Sequence, residues 1–308
     1  MDVDNIFLDI GDVCNSKCLF CSTGIKNRNG CSSEERGSFM NFEFFKQVWT
    51  HLKEVGFIHT PKDQRISLYN WGEPLLHPEF ERIIDYLTQE KRKIVLSTNG
   101  IYLPKFSANV NASSIRFIRF TMCGFSQASY DKIFMADFEQ CKRNIATLVK
   151  NLRAHHGYIG GFGLIFCVYQ FNTHEIQAAA EFARSLHIDF WPVWAYQVDG
   201  KRGMQFLKGE LPTEYLSKMF QYLFYGGHKR GPVNTCHFAQ LCINPRGGVH
   251  RCCMFRESMG SIFDMTPDSW KALCDSYPFC TECKAAGFPR LLCEDDDEFD
   301  LRALKYYL

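Results

Sequence analysis

The sequence contains no long apolar run, no strong excess of either charge and no leader-like N-terminus. No apolar stretch in its 308 residues reaches the length of a membrane span. The 35 lysines and arginines nearly balance the 34 aspartates and glutamates, and the net charge of +1 argues against general binding to nucleic acids or membrane surfaces. The first five residues, Met-Asp-Val-Asp-Asn, lack the basic and apolar regions of a signal peptide. We therefore expect a cytoplasmic protein with neither a nucleic-acid nor a membrane partner.

Cysteine, in contrast, is abundant, with 15 residues in the chain. Without a secretory signal a disulfide framework is not expected, and metal or cluster ligation accounts better for so many thiols. The distribution is uneven, because eight of the 15 fall between Cys236 and Cys293. The sequence therefore predicts a cysteine-poor middle and a cysteine-dense C-terminal part.

Strand-like and helix-like segments alternate from residue 5 to about residue 195. The predicted strands are 6–10, 66–70, 93–97, 115–121, 163–168 and 188–193. The predicted helices are 42–55, 78–90, 126–134, 138–155 and 173–186. Such alternation is typical of a parallel sheet with right-handed crossovers, and six strand–helix units predict an α/β fold, a partial (β/α)6 TIM-like barrel. Catalytic loops in such folds lie at the carboxyl ends of the strands.

The chain changes character after this alternating part. Residues 200–203 predict a loop, residues 213–225 predict a helix, and a turn-rich linker at 226–232 precedes the cysteine-dense segment. We therefore divide the chain into a partial barrel, residues 1–205, and a small cysteine-rich C-terminal extension, residues 206–308.

The first predicted strand leads into the segment Cys14-Asn-Ser-Lys-Cys18-Leu-Phe-Cys21. Its C-x3-C-x2-C spacing gives three thiolates in one tight loop, which can hold three irons of a 4Fe–4S cluster and leave the fourth iron open. Clusters are normally held by four thiolates, so the missing one indicates a catalytic site. The alternatives are structural thiols or a zinc knuckle. Cys31 could complete a zinc site, but three cysteines without a nearby fourth ligand form a poor closed one.

With Phe20 before its last cysteine, this loop resembles the signature of the radical SAM enzymes. In that family the open iron binds the amino and carboxylate groups of S-adenosylmethionine (SAM). One electron then cleaves SAM to a 5′-deoxyadenosyl radical, which takes a hydrogen atom from a substrate. The resemblance implies a 4Fe–4S cluster and SAM as cofactors, and a reduced flavodoxin or ferredoxin as electron donor.

Further segments at strand ends resemble the SAM-binding motifs of this family. Trp71-Gly72-Glu73-Pro74 is similar to its Gly-Gly-Glu-type motif, in which the glutamate holds the methionyl amino group, although a strand-to-helix turn is the alternative. Ser97-Thr98-Asn99 is similar to its polar strand-end motif, with ordinary turn chemistry as the alternative. The SAM contacts that the resemblance implies are Phe20, Gly72, Glu73, Pro74, Ser97, Thr98, Asn99, Gln170 and Asn172.

The C-terminal cysteines form a second pattern, C-x10-G-x4-C followed after a gap by C-x2-C. It resembles the twitch (half-SPASM) extension, in which a β-hairpin and a short loop hold one auxiliary 4Fe–4S cluster; Arg246-Gly-Gly248 suits the hairpin turn. The ligands that the resemblance implies are Cys236, Cys252, Cys280 and Cys283. Cys242, Cys274 and Cys293 are left over, and their spacings match the longer SPASM pattern poorly. A four-cysteine zinc site is the alternative.

Cys253 adjoins Cys252, and two adjacent residues do not easily bind one cluster. By resemblance to radical SAM epimerases, Cys253 is a candidate donor of a hydrogen atom to a substrate radical, although simple burial is the alternative. We therefore predict epimerisation of a small carbohydrate or aminocyclitol, such as an aminoglycoside.

Three alternatives stay open for the function. The first is a dehydrogenase that oxidises a secondary alcohol to a ketone, with the auxiliary cluster as electron acceptor. The second is modification of a ribosomal peptide, which we disfavour because the first strand begins at residue 6 and leaves no room for a preceding peptide-recognition domain. The third is a non-catalytic cluster carrier, which would make the SAM-binding motifs coincidences.

Overall fold

The computed structural model describes residues 5–30, 37–58, 64–107, 110–155, 157–158, 160–224 and 239–288. Within them a single eight-stranded sheet has the order β6-β5-β4-β3-β2-β1-β7-β8. The strands are β1 (Asn5–Leu8), β2 (Arg65–Ser67), β3 (Lys93–Thr98), β4 (Ile115–Met122), β5 (Gly161–Val168), β6 (Asp189–Trp194), β7 (Ala239–Ile243) and β8 (Val249–Cys252). All neighbouring strands from β6 to β7 are parallel, and only the β7–β8 pair is antiparallel. The predicted parallel α/β fold with six strands in chain order is confirmed.

Helices lie between most successive strands of this sheet, whereas the described residues of the β3–β4 and β7–β8 connections contain none. In the described residues they are α1 (Ser22–Asn29), α2 (Phe42–Glu54), α3 (Phe80–Gln89), α4 (Gln127–Ile133), α5 (Phe138–His155), α6 (Ile176–Ser185), α7 (Gly200–Lys208), α8 (Thr213–Tyr222), α9 (Pro267–Ser276) and α10 (Pro278–Ala286). The predicted helices are confirmed with shifts of a few residues at their ends. None of the helices that the structure describes is both long and apolar enough to cross a membrane.

The alternation along β4 gives the sheet two different faces. Ile118, Phe120 and Met122 are buried and belong to the main hydrophobic core together with residues of the helices. Phe117 and Arg119 alternate with them, are only partly buried and point to the opposite face. A parallel strand covered by helices on one face and open on the other is what a partial barrel requires, and the open face is its interior.

The β7–β8 hairpin extends the barrel sheet beyond β1. Its register pairs Ile6 with Leu241 and Leu8 with Ile243, and the Asp9 backbone N–H donates to the Ile243 carbonyl over 2.9 Å. The turn predicted at residues 246–248 is confirmed. The cysteine-dense extension is therefore joined to the strand that leads into the Cys14–Cys21 loop.

The predicted loop at residues 200–203 is wrong, because these residues begin α7. Asp199 caps this helix by accepting a hydrogen bond from the Arg202 backbone N–H over 3.2 Å. Gly200 and Gly203 allow other segments of the chain to pack closely against this helix. A Cβ at Gly200 would stand 2.7 Å from the Met254 carbonyl oxygen, and one at Gly203 would stand 2.0 Å from the Phe288 ring. The proposed domain boundary at 205/206 falls within α7, and the division into two domains stays a prediction.

Candidate active site

The loop that carries Cys14, Cys18 and Cys21 follows β1 and is fastened by helix α1. The Asn27 side-chain amide donates to the carbonyl oxygens of Cys14 (2.9 Å) and Ser16 (2.7 Å). Gly24 allows α1 to approach the loop, because a Cβ there would stand 2.3 Å from the Cys18 backbone. Helix α1 therefore holds the three-cysteine loop at the carboxyl end of β1.

The thiols of this loop share hydrogen-bond donors and influence one another. The Ser16 N–H and the Asn99 side-chain amide both donate to Cys14 Sγ, over 3.4 and 3.6 Å, and Ser16 Oγ lies 2.9 Å from Cys18 Sγ. Burial, together with the charges of Glu73 and Cys21, raises the pKa of Cys14 to about 12. Burial and the neighbouring thiols raise the pKa of Cys18 in the same way.

This donor set suits a cluster. Mutually close, buried thiols ionise only when a cation is near, and iron supplies that charge. Among the described residues, no three His, Cys, Asp or Glu side chains stand close enough to hold one metal ion. In a 4Fe–4S cluster each thiolate binds a different iron.

Trp71, Gly72 and Glu73 lie directly beside the cysteine loop. A Cβ at Gly72 would stand 1.8 Å from the Gly11 carbonyl oxygen, so only glycine allows this contact between the two backbones. The Glu73 backbone N–H donates to the Val13 carbonyl over 2.8 Å. Pro74 follows as the first residue of a short 3-10 turn that Glu73 caps.

The Glu73 carboxylate is buried and accepts two backbone hydrogen bonds. Its oxygens accept from the N–H groups of Leu75 (3.1 Å) and Asn99 (2.8 Å). Burial raises the pKa of Glu73 to about 7, although these bonds and one to Thr98 oppose the shift. The Asn99 side chain also reaches Asn15 in the cysteine loop, over 2.9 Å. The structure thus brings Glu73, Thr98 and Asn99 together next to Cys14.

The remaining predicted SAM contacts occupy different environments. Phe20 is buried between the rings of three tyrosines, at centroid distances of 6.2–6.4 Å. Ser97 lies in β3 opposite Arg119 of β4, on the interior face. The Gln170 amide donates to the carbonyls of Phe220 and Leu223 at the end of α8.

Asn172 is fully buried and ties together two strand ends. Its side chain accepts from the Tyr169 N–H over 2.8 Å and donates to the carbonyls of Cys123 (3.1 Å) and Cys167 (3.0 Å). All nine predicted contacts with SAM, including those of Phe20, Ser97, Gln170 and Asn172, stay predictions.

Trp71 connects the motif to the C-terminal extension. Its indole N–H donates to the Cys253 carbonyl over 3.0 Å, and its ring meets His250 edge-on at 4.7 Å. Its backbone N–H donates to the Asp9 carboxylate over 3.0 Å, and its carbonyl accepts from Thr23 Oγ over 2.7 Å. Burial raises the pKa of the Asp9 carboxyl to about 7. One residue therefore joins β1, α1, β8 and the turn that carries Cys253.

Arg119 brings a positive charge to the interior face near Cys253. Its guanidinium lies 4.8 Å from the centroid of the Tyr69 ring, and its Nε is buried without a hydrogen-bond partner in the described part of the chain. Burial lowers the pKa of Arg119, and negative charge on Tyr196 or Cys253 opposes this shift. Arg119 therefore places a half-buried cation on the interior face of the barrel.

Four cysteines of the extension line a separate cavity of about 170 Å³. They are Cys252, Cys280 and Cys283, which belong to the predicted ligand set, and Cys274, which does not; the ligand set itself stays a prediction. Cys236 lies outside the described residues, as do Cys31 and Cys293. Cys252 thus lines the cavity, whereas the Cys253 carbonyl accepts from the Trp71 indole, and the expectation that only one of the two is a ligand stays a prediction.

Several site residues were missed by the sequence analysis. Asp9 carried a signal, because a carboxylate inside an apolar strand segment needs a partner when buried. Arg119 carried the same signal in β4. Cys274 carried none, since its spacing to the other cysteines fits no pattern and only the packing of α9 against the hairpin reveals it.

A family model described as the radical SAM superfamily matches residues 8–183. A probable GTP 3′,8-cyclase from Methanococcus maripaludis (strain S2) is 27% identical over 145 residues, which are 46% of this chain and 44% of the relative. The subtilosin biosynthesis protein AlbA from Bacillus subtilis (strain 168) is 23% identical over 297 residues, which are 90% of this chain and 60% of AlbA.

Among solved structures, Streptococcus suis SuiB bound to its precursor peptide SuiA superposes with a TM-score of 0.60 at 12% identity. The superposition covers 93% of this chain and 70% of SuiB, and it shows that the two folds are alike. The chain spans less than half the length of the cyclase-type relative that it matches.

Proposed function

Because the chain belongs to the radical SAM superfamily, whose members bind a 4Fe–4S cluster and SAM, we propose that it is an epimerase of a small carbohydrate or aminocyclitol, with Cys253 as the hydrogen-atom donor. The observation that carries this proposal is the 3.0 Å hydrogen bond from the Trp71 indole to the Cys253 carbonyl. It fixes a cysteine of the extension beside the Gly72–Glu73 motif.

Different residues at the carboxyl end of the sheet would hold the cluster and SAM. Cys14, Cys18 and Cys21 would hold the SAM-binding cluster, and the Glu73 carboxylate would face the ammonium group of SAM. When bound, the cluster supplies the electron, from a reduced flavodoxin or ferredoxin, that cleaves SAM to a 5′-deoxyadenosyl radical. Such an oxygen-labile cluster and such donors suit the cytoplasm.

After a hydrogen atom has left one face of the substrate carbon, epimerisation needs a hydrogen atom for the opposite face, and the Cys253 thiol supplies it. Its S–H bond breaks and the new C–H bond forms on the opposite face, which inverts the configuration. The sulfur is left one electron and one proton short, and the same class of reduced carrier together with solvent restores the thiol. The substrate and the product therefore have the same oxidation state.

Arg119 supports a substrate with hydroxyl or anionic oxygens. Its guanidinium Nε, which has no hydrogen-bond partner among the described residues, lies on the interior side of the barrel, where a buried donor gains most from an acceptor on a bound molecule. Tyr69 stacks against the guanidinium and keeps it in place. A sugar or cyclitol ring supplies such oxygens at several carbons.

The experiment that tests this proposal is an anaerobic reaction with SAM, dithionite and neamine in D2O. An exchangeable thiol deuteron delivered to carbon adds one deuterium to the recovered sugar, whereas oxidation to a ketone removes two hydrogens. We expect deuterium uptake by the wild type and none by Cys253→Ala, with 5′-deoxyadenosine formed by both. Cys141→Ala removes another buried cysteine, in α5, and should behave as the wild type.

Three outcomes contradict the epimerase proposal. Loss of two hydrogens in both proteins favours the dehydrogenase alternative, in which the auxiliary cluster accepts the electron. Deuterium uptake by Cys253→Ala contradicts the donor role of Cys253. SAM cleavage with unchanged neamine contradicts this substrate class.

Peptide modification is the second candidate, favoured by the match to AlbA over 90% of this chain. The assay for it replaces neamine by a mixed library of linear peptides. A mass loss of two hydrogens, or uptake of one deuterium, in a peptide that is unchanged without SAM would support this candidate over the first.

A further inference from the structure

The cavity of about 170 Å³ lies between the end of β8 and the helices α9 and α10, apart from the Trp71–Glu73 motif. Cys252 is the last residue of β8, Cys274 lies in α9, and Cys280 and Cys283 lie in α10. All four line this cavity. Cys274 is 7% exposed and Cys283 is 8% exposed.

The geometry of the two helices explains how thiols at irregular spacing meet. Cys280 and Cys283 are three residues apart and share one side of α10. Tyr277 is both the C-cap of α9 and the N-cap of α10, so a single residue joins the two helices. Across this junction Cys274 of α9 lines the same cavity as Cys280 and Cys252.

Arg251 adds a positive charge to the same cavity. Its Nε and Nη1 atoms are buried and have no hydrogen-bond partner among the residues that the structure describes. Its guanidinium lies 5.5 Å from the centroid of the Trp270 ring, and it contributes to the lining of the cavity. Buried donors without partners cost stability unless a bound group accepts from them.

We infer that Cys274 completes the ligand set of the auxiliary cluster with Cys252, Cys280 and Cys283, and that Arg251 donates hydrogen bonds to this cluster. The inference rests on the auxiliary cluster of the proposed function and replaces Cys236 in the predicted set. Four thiolates around iron and sulfide carry net negative charge, and the Arg251 guanidinium offsets it. Hydrogen bonds to cluster sulfurs also set the reduction potential.

The ligand assignment is tested in a Cys14/Cys18/Cys21→Ala background, which isolates the auxiliary site. After anaerobic reconstitution, we expect about four irons per chain in this background and about four after adding Cys236→Ala, but fewer than about one after adding Cys274→Ala. The matched control is Cys141→Ala, which removes another buried cysteine. Equal melting temperatures of the metal-free Cys274→Ala and Cys141→Ala proteins exclude unfolding as the cause of the iron loss.

The outcomes separate this assignment from the proposed function. Loss of iron with Cys236→Ala overturns the ligand set, and retention of about four irons with Cys274→Ala overturns it as well. No iron in the background itself means that the auxiliary cluster of the proposed function fails, and the assignment falls with it. Zinc in place of iron overturns the cluster in the same way.

Arg251→Gln tests the second half of the inference by electrochemistry. We expect about four irons to stay bound in the same background. The midpoint potential should become more negative, because the reduced cluster loses a positive neighbour and its hydrogen bonds. Arg246→Gln removes an exposed arginine that pairs with Asp12 and should leave the potential unchanged. An unchanged potential in Arg251→Gln overturns the role of this arginine.

Discussion

The indole N–H of Trp71 donates to the carbonyl oxygen of Cys253 over 3.0 Å. These two residues are 182 positions apart in the chain, and the bond spans from the barrel to the turn after β8. Trp71 stands where the related family motif has its first glycine. Trp71 is therefore both the departure from the family motif and the residue that ties the motif to the extension.

Trp71→Phe should uncouple the two parts while keeping an aromatic ring in place. The variant loses the hydrogen bond from the indole to the Cys253 carbonyl, and we expect the free energy of unfolding to fall by about 1–3 kcal/mol. Product formation should fall more than SAM cleavage, so the measured ratio of 5′-deoxyadenosine to product should rise. Trp191→Phe, at an exposed tryptophan of β6, is the control. An unchanged ratio in Trp71→Phe would show that the bond does not position Cys253.

Glu73→Gln should weaken SAM binding. The amide keeps one acceptor but places an NH2 group against a backbone N–H, and it has no charge to offer an ammonium group. Loss of a hydrogen bond to a charged group costs about 1.5–3 kcal/mol, so we expect SAM affinity, measured by equilibrium dialysis, to fall about 10- to 150-fold. Glu79→Gln is a matched control, because half-buried Glu79 also accepts from a backbone N–H, that of Phe42. Equal losses in both variants would contradict a specific role for Glu73.

Asp9→Asn should flatten the pH dependence of stability. Burial raises the pKa of this carboxyl from 3.8 to about 7, against the opposing effects of the Trp71 N–H and Arg256 and with a further rise from Asp12. Between these values the folded protein binds more protons than the unfolded chain, so stability is highest at low pH and falls as pH rises towards 7. From about pH 5 to about pH 8 the wild type should lose roughly 2 kcal/mol that the variant does not lose. Urea unfolding of the metal-free wild type and the metal-free variant measures the free energy of unfolding at each pH. The same dependence of this free energy on pH in both proteins would contradict the prediction.

Gly72→Ala should be severely destabilising, since its Cβ would stand 1.8 Å from the Gly11 carbonyl oxygen. Relief of that overlap requires the motif to move away from the β1 loop, at a cost of about 1–3 kcal/mol or more. Gly209→Ala has open space around its Cβ but a φ of +73°, so it should cost only about 1 kcal/mol. Thermal unfolding of the two metal-free variants gives the comparison, and equal melting temperatures would speak against the close contact.

The periodicity of the sequence was sufficient to predict the six strands and most helices of the barrel, because strand and helix periods are visible within short local segments. The three-cysteine loop could be predicted as well, because its cysteines are near neighbours in the sequence. Gly200 and Gly203 caused the wrong prediction of a loop. A glycine that allows close packing, as Gly203 does against Phe288, looks the same in the sequence as a glycine that a turn requires. Cys274 and Arg251 could not be found, since their neighbours come from separate elements whose packing no short-range pattern encodes.

We propose that one chain holds two separate iron–sulfur sites, one at the barrel edge and one in the extension. Iron and sulfide counts after anaerobic reconstitution of the wild type and of Cys14/Cys18/Cys21→Ala test it directly. We predict about eight irons in the wild type and about four in the variant. About four irons in the wild type and none in the variant would contradict the claim, because the C-terminal cysteines would then hold no cluster.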